Sequence, residues 1–136
     1  VIEAHYSVAV EGDRSWLGQV DELRQGEDVR RLLDKLTDPR SDNALLIHTD
    51  RPTLDSGYPD HEVTVGVRGD RGAILFTDSN TGTWVTLGEG PARRTVYAGI
   101  EFPTHCEIPV PSLVSAIEEF LLTGERPTRV PWQQAR

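Results

Sequence analysis

Residues 62–87 read EVTVGVRGDRGAILFTDSNTGTWVTL. Val63, Val65 and Val67 recur at every second position, so they share one face of an extended strand. Gly69, Asp70, Arg71 and Gly72 follow as a tight connection, and Ala73–Thr77 reads as the returning strand. Asp78, Ser79, Asn80, Thr81 and Gly82 form a second turn. Thr83–Leu87 is then a third strand, with Trp84 and Thr86 directed opposite to Val85 and Leu87. Neither connection has room for a crossover helix, so the strands pair antiparallel as a meander. Residues 94–98 are expected to extend it.

Upstream, residues 3–10 alternate loosely and predict a strand that breaks at Gly12 and Asp13. Residues 12–27 are polar apart from Trp16, Leu17, Val20 and Leu23, and read as a loop or short irregular turn. Val29, Leu32, Leu33 and Leu36 fall at i, i+3, i+4 and i+7, which predicts a helix over 28–37. Glu27 and Asp28 suit its first turn, and Pro39 stops it. Ala44–Thr49 is an apolar run with strand character. Downstream, Leu113, Ile117, Phe120 and Leu121 form the buried stripe of a second helix over 111–123. Pro111 opens it, Glu118 and Glu119 are expected to lean outward, and Gly124 caps it. Residues 128–132 suit a short edge strand. The expected class is α+β: one domain over residues 1–136, with an antiparallel sheet of about five or six strands and two helices packed on one face.

The 136 residues suffice for a buried core without metal or disulfide staples. Asp and Glu number 22 against 14 Lys and Arg, a net charge of −8. That balance argues against DNA, RNA or an anionic membrane as the main partner. It favours a basic protein partner, or solubility alone. The single cysteine, Cys106, excludes an internal disulfide and fits a reducing, cytoplasmic compartment. No apolar run approaches the ~18 residues of a membrane span. The first residues, VIEAHYSVAV, lack the basic region and long apolar core of a signal peptide. The missing initiator Met points to a trimmed chain.

Few residues form a chemical pattern. His61, Glu62, His105, Cys106 and Glu107 could be drawn as a metal or acid–base cluster, but their spacing matches no closed zinc pattern. Neighbours on a strand also point to opposite faces. Cys106 beside His105 reads more simply as a buried thiol than as a nucleophile–base pair, because such pairs assemble in space. Asp50, Asp55, Asp60 and Glu62 could serve acid–base work or form a solvated acidic loop. Gly69–Gly72 lacks the further glycines and Lys-Ser/Thr ending of a phosphate loop. Trp84 is either core or, if exposed beside Asp78, an interface anchor. Glu101 and Glu107, each near a proline, either fix their loop through backbone hydrogen bonds or recognise Arg or Lys on a partner.

Taken in order, VTVGVRGDRGAILFT at Val63–Thr77, the Trp84 strand, EFPTHCEIP at Glu101–Pro109 and FLLTGERPTRVPW at Phe120–Trp132 resemble the Imm1 family of immunity proteins from bacterial polymorphic toxin systems. The residues carrying the resemblance are Gly72, Glu101, Pro103, Glu107, Pro109, Gly124, Pro127 and Trp132. It implies a small cytoplasmic α+β antidote without catalysis or cofactor. Such a protein binds a toxin domain encoded beside it, often a nuclease or deaminase. The acidic balance adds that the toxin domain is basic, since a nucleic-acid-directed enzyme needs a basic substrate surface. The partner-binding surface is expected at Asp55, Asp60, Asp78, Trp84, Glu101 and Glu107, with no metal site and the oligomeric state left open. Two other readings stay open. One is a small hydrolase or metal-dependent enzyme built on His61, His105, Cys106 and the acidic groups. The other is a small-molecule or peptide-binding module, which would show a deep apolar pocket.

Overall fold

A computed structural model describes residues 1–10, 12, 15–97 and 99–135. Asp13 and Ala98, at two of the expected strand ends, lie outside the described residues. The elements run β1 (Ile2–Ala9), β2 (Trp16–Leu23), α1 (Gly26–Leu36), β3 (Ala44–His48), β4 (His61–Arg68), β5 (Arg71–Asp78) and β6 (Gly82–Thr86). They continue as β7 (Thr95–Tyr97), β8 (Ile100–Phe102), β9 (Ile108–Pro109), α2 (Val110–Thr123) and β10 (Trp132–Gln134). The main sheet is antiparallel, in the order β10-β6-β5-β4-β3-β1-β2, with β9 also paired to β5.

The α+β class and the central meander stand as expected. The sheet is larger, with eight strands. Residues 16–23, expected to be irregular, form β2, which pairs with β1 over its whole length from Ile2↔Leu23 to Ala9↔Trp16. Only Leu23 of this edge strand is buried. Backbone hydrogen bonds hold β2, so its side chains carry no alternating apolar signal. The segment 94–98 does not extend the meander, because β7 pairs with β8 in a separate hairpin. The C-terminal strand lies later than expected, as β10 on the free edge of β6.

Both helices cover one face. Val29, Leu32, Leu33 and Leu36 of α1 and Leu113, Ala116, Ile117 and Phe120 of α2 join Ile2, Ala4, Val63, Val65, Ile74 and Phe76 in one core. Burying each such aliphatic side chain is worth about 1.5–3 kcal/mol. Gly124, at φ 71°, ends α2 by donating its N–H to the Phe120 carbonyl. Glu119 does not lean outward. It is buried and accepts from the Thr128 and Arg129 backbone N–H groups at 2.7 and 3.0 Å. The carboxylate thereby clamps the return toward β10. Burial pushes its pKa up, but those hydrogen bonds outweigh it and hold the group below the ordinary carboxylate range.

The opposite sheet face is covered only in part. Tyr97, Phe102 and Cys106 pack there against Ala73 and Val85. The registers align Val20, His5, Leu45, Thr64 and Leu75 in one row across this face, of which Val20 is exposed, His5 and Leu45 are half-buried, Thr64 is buried and Leu75 packs against that cover.

Candidate functional site

On the open face, Leu45 and Ile47 of β3 are half-buried, and Glu62 of β4 is exposed opposite Thr77 of β5. The connection from residue 50 to 60 rises beside them. It closes on itself through a Thr53↔Pro59 bridge, Leu54 N–H to Tyr58 O at 2.7 Å and Gly57 N–H to Leu54 O at 2.8 Å. Gly57 takes the left-handed φ of 89° that this tight tip needs. The loop and strands enclose one side of a cavity of about 580 Å³, whose lining includes Leu45, Ile47, Leu54, Tyr58, Pro59 and Glu62. Among the described residues, no Lys or Arg lines it.

Arg51 fixes this loop. Its Nε and Nη2 donate to the two Asp60 carboxylate oxygens, both at 2.9 Å, as a paired fork. Nη1 donates to the Gly124 carbonyl at 2.9 Å and to Asp78 Oδ2 at 3.4 Å. Asp78 also accepts from the Asn80 and Thr81 backbone N–H groups and from the Thr81 hydroxyl, which closes the β5–β6 turn. The side chains of Arg51, Asp60 and Asp78 are 6%, 7% and 1% exposed. Asp60 and Asp78, expected on a binding surface, are therefore internal counter-ions of Arg51. Reversing either charge should therefore unseat the loop as well as alter the surface.

Two histidines complete the cluster. His61 Nδ1 donates to Asp60 Oδ1 at 2.8 Å, because Nε2 must accept the His48 backbone N–H, also at 2.8 Å. His48 Nε2 donates to the Leu121 carbonyl at 3.0 Å, and its Nδ1 accepts from the Asp50 N–H at 3.3 Å. Every ring nitrogen of these two histidines is occupied within the protein, leaving neither ring free for a substrate proton or a metal, while His105 is exposed on the loop after β8. Among the described residues, no three His, Cys, Asp or Glu side chains are placed to hold a metal ion. Cys106 is fully buried, and burial pushes its thiol pKa up, which disfavours the nucleophilic thiolate.

This cluster predicts acid sensitivity in two stages. Burial holds the His61 pKa below its ordinary value, so protons favour the unfolded chain as pH falls through about 6.5. The Arg51 hydrogen bonds, helped by His61, hold Asp60 at about 2. Its contribution is present above the unfolded pKa of about 4 and is lost as pH falls toward 2. Urea midpoints should decline as pH falls below about 6.5 and further below about 4. A midpoint flat down to pH 4 would contradict the His61 assignment.

The other expected contact residues separate. Trp84 lies opposite Phe76 in the ladder, on the helix-covered side, away from Glu62. Its Nε1 donates to Thr81 O at 2.8 Å and the Arg126 guanidinium lies 4.1 Å over its ring. Glu107 accepts from the Tyr97 hydroxyl and so fastens the β7–β8 hairpin. Glu101 is exposed on that hairpin, 3.3 Å from Arg94, and Asp55 is exposed at the loop tip. Sequence reasoning missed Leu54, Tyr58 and Arg51. The available signal was a leucine and a tyrosine inside the polar, turn-rich RPTLDSGYPD.

Comparison with known proteins follows this geometry. A search of curated sequences returned no match. Among solved structures, a hypothetical protein from Neisseria gonorrhoeae superposes with a TM-score of 0.51 at 9% identity, covering 93% of this chain and 91% of that one. That likeness speaks to fold alone. The family model described as Immunity protein Imm1 matches residues 19–134. The match runs from within β2 to the end of β10 and includes both helices, and the chain belongs to the Imm1 immunity protein family.

Proposed function

We propose that this protein binds and neutralises a cognate toxin domain encoded beside it, a basic domain acting on nucleic acid. Membership in Imm1 carries the antidote role. The net charge of −8 supports a basic partner, whose substrate surface an acidic protein can cover and reach quickly. The engaged histidines and the buried Cys106 thiol support action by binding rather than by catalysis. Of the six residues expected on the partner-binding surface, Asp55 and Glu101 are exposed. Asp60, Asp78, Trp84 and Glu107 support the surface from within.

Co-expression tests this reading. Cells carrying the neighbouring gene's toxin domain should die alone and survive with this protein present. Purified together, the two should form a stable complex. A neighbouring product that is not toxic, or a toxic one that this protein neither binds nor counteracts, ends the proposal. Rescue that leaves turnover of a small free substrate intact places the block on the substrate path. Full loss of that turnover indicates inhibition at the active centre.

A further inference from the structure

The open half of the sheet has an apolar floor, Leu45 and Ile47, with a rigid apolar wall beside it. Leu54 is 47% and Tyr58 73% exposed, on a loop whose base is locked by the Arg51 ion pairs. Exposed apolar side chains held in fixed positions around a cavity are a feature of interaction sites. The polar atoms at the back of this cavity are already committed. Asp60 binds Arg51, His61 binds Asp60 and the His48 N–H, and Asp78 binds Arg51 and its own turn. Those three side chains offer little to orient a small polar ligand, and the exposed Tyr58 leaves the cavity open to a large one.

The charges at the mouth are different. Among the described residues, neither Glu62 nor Asp55 has a hydrogen-bond or ion-pair partner. Glu62 lines the cavity, and Asp55 stands next to Leu54 at the tip of the wall. With no cation among the described lining residues, the cavity presents one unpaired carboxylate, Glu62, over an apolar floor, and Asp55 follows Leu54 in the loop. We infer that this cavity is where the cognate toxin docks, through an aliphatic or aromatic side chain flanked by Arg or Lys. The apolar side chain covers Leu45 and Ile47 between Leu54 and Tyr58, and the cation reaches Glu62 and Asp55. The pre-set loop spares the complex much of the ordering entropy that a flexible loop would lose. The inference rests on the immunity reading and adds to it the surface and the chemistry of the contact.

The test uses the full chain and the neighbouring toxin domain, inactivated by substitution at its catalytic residue. Leu54→Ala, Tyr58→Ala and Glu62→Lys should each raise Kd at least ~10-fold, as central anchors do. Glu62→Lys should also slow association and weaken its dependence on salt. Asp34→Lys on α1, the same charge change on the helix layer at an exposed side chain without a partner among the described residues, should shift Kd less than ~3-fold. Because all four side chains are exposed, thermal midpoints should match wild type, which separates lost contact from lost folding. If wild type binds and all three cavity variants stay within ~2-fold of it, the docking surface is wrong and the immunity reading stands. If wild type neither binds nor rescues, both fall. A dimer that Tyr58→Ala dissociates, or a small molecule retained one-to-one in native mass spectra, would give the cavity another occupant and overturn the inference.

Discussion

Replacing Arg51 with methionine should lower the unfolding free energy by about 3 kcal/mol, with the urea midpoint falling accordingly. The aliphatic part of the side chain is kept, so the loss is electrostatic. It strands two carboxylates, Asp60 and Asp78, whose side chains are 7% and 1% exposed. Breaking a buried ion pair from one side costs about 3–5 kcal/mol, because the remaining charge has neither water nor partner. The low end applies here. Glu125, 3.6 Å from Arg51, is 68% exposed, so water stands close enough to screen the cluster. Arg51→Lys keeps the charge but not the fork that meets both Asp60 oxygens, and should recover only about half of the loss. Asp55→Asn on the same loop has no partner to lose and should stay within about 0.5 kcal/mol of wild type. A loss below about 1 kcal/mol for Arg51→Met would show that the cluster is not holding the loop. If it does hold the loop, Arg51→Met should also weaken toxin binding without touching the cavity lining, by loosening the wall that carries Leu54 and Tyr58.

The parts of this fold that were legible are those whose side chains report their own burial. The β4–β5–β6 meander declares itself by alternating valines and glycine turns, and both helices by a buried stripe. The edge strand β2 does not, because Trp16, Leu17 and Val20 stay exposed and the strand is held mainly by its ladder to β1, with Leu23 in the core and Asp21 bonded to Tyr6 and Lys35. The burial of Asp60 and Asp78 is hidden from the sequence for a related reason. A carboxylate is ordinarily at the surface, and nothing local marks one whose counter-ion stands 9 or 27 residues away. Glu119 poses the same problem, since its partners Thr128 and Arg129 lie beyond the end of its own helix. The residues that carry the Imm1 resemblance turn out to be mostly scaffold. Gly124 caps α2, and Trp132 donates its Nε1–H to the Pro127 carbonyl at 2.7 Å while its ring packs edge-on to Phe76. The exposed set around the cavity has no such signature, because a surface shaped for one partner follows that partner and not the core.

Gly72 offers the sharpest test of that division between scaffold and contact. It lies in β5, paired on one side with Val67 and on the other with Ile108. A Cβ at this position would meet the Gly66 carbonyl oxygen at 2.1 Å, Leu113 Cδ1 at 2.7 Å and Val67 Cα at 3.1 Å. The first and last of these are backbone atoms of β4, fixed by the ladder, and Leu113 is fully buried in α2. Rotamer changes cannot relieve the overlap, so either β4 and β5 part or α2 lifts from the sheet. Overpacking a core with one methyl costs about 1–3 kcal/mol when side chains can give way. Here the obstacle is main chain, and Gly72→Ala should cost at least about 3 kcal/mol, a large share of a small domain's stability. Gly18→Ala on β2 is the matched control, because a Cβ there meets nothing within 4 Å. Its thermal midpoint should stay within about 2 °C of wild type, whereas Gly72→Ala should fall by roughly 10 °C or more or fail to accumulate as soluble protein. Binding measured well below the lowered midpoint should then be near wild type for whatever fraction remains folded. A Gly72→Ala protein that melts like wild type yet no longer binds the toxin would reverse the assignment, making this glycine a point of contact and not of packing.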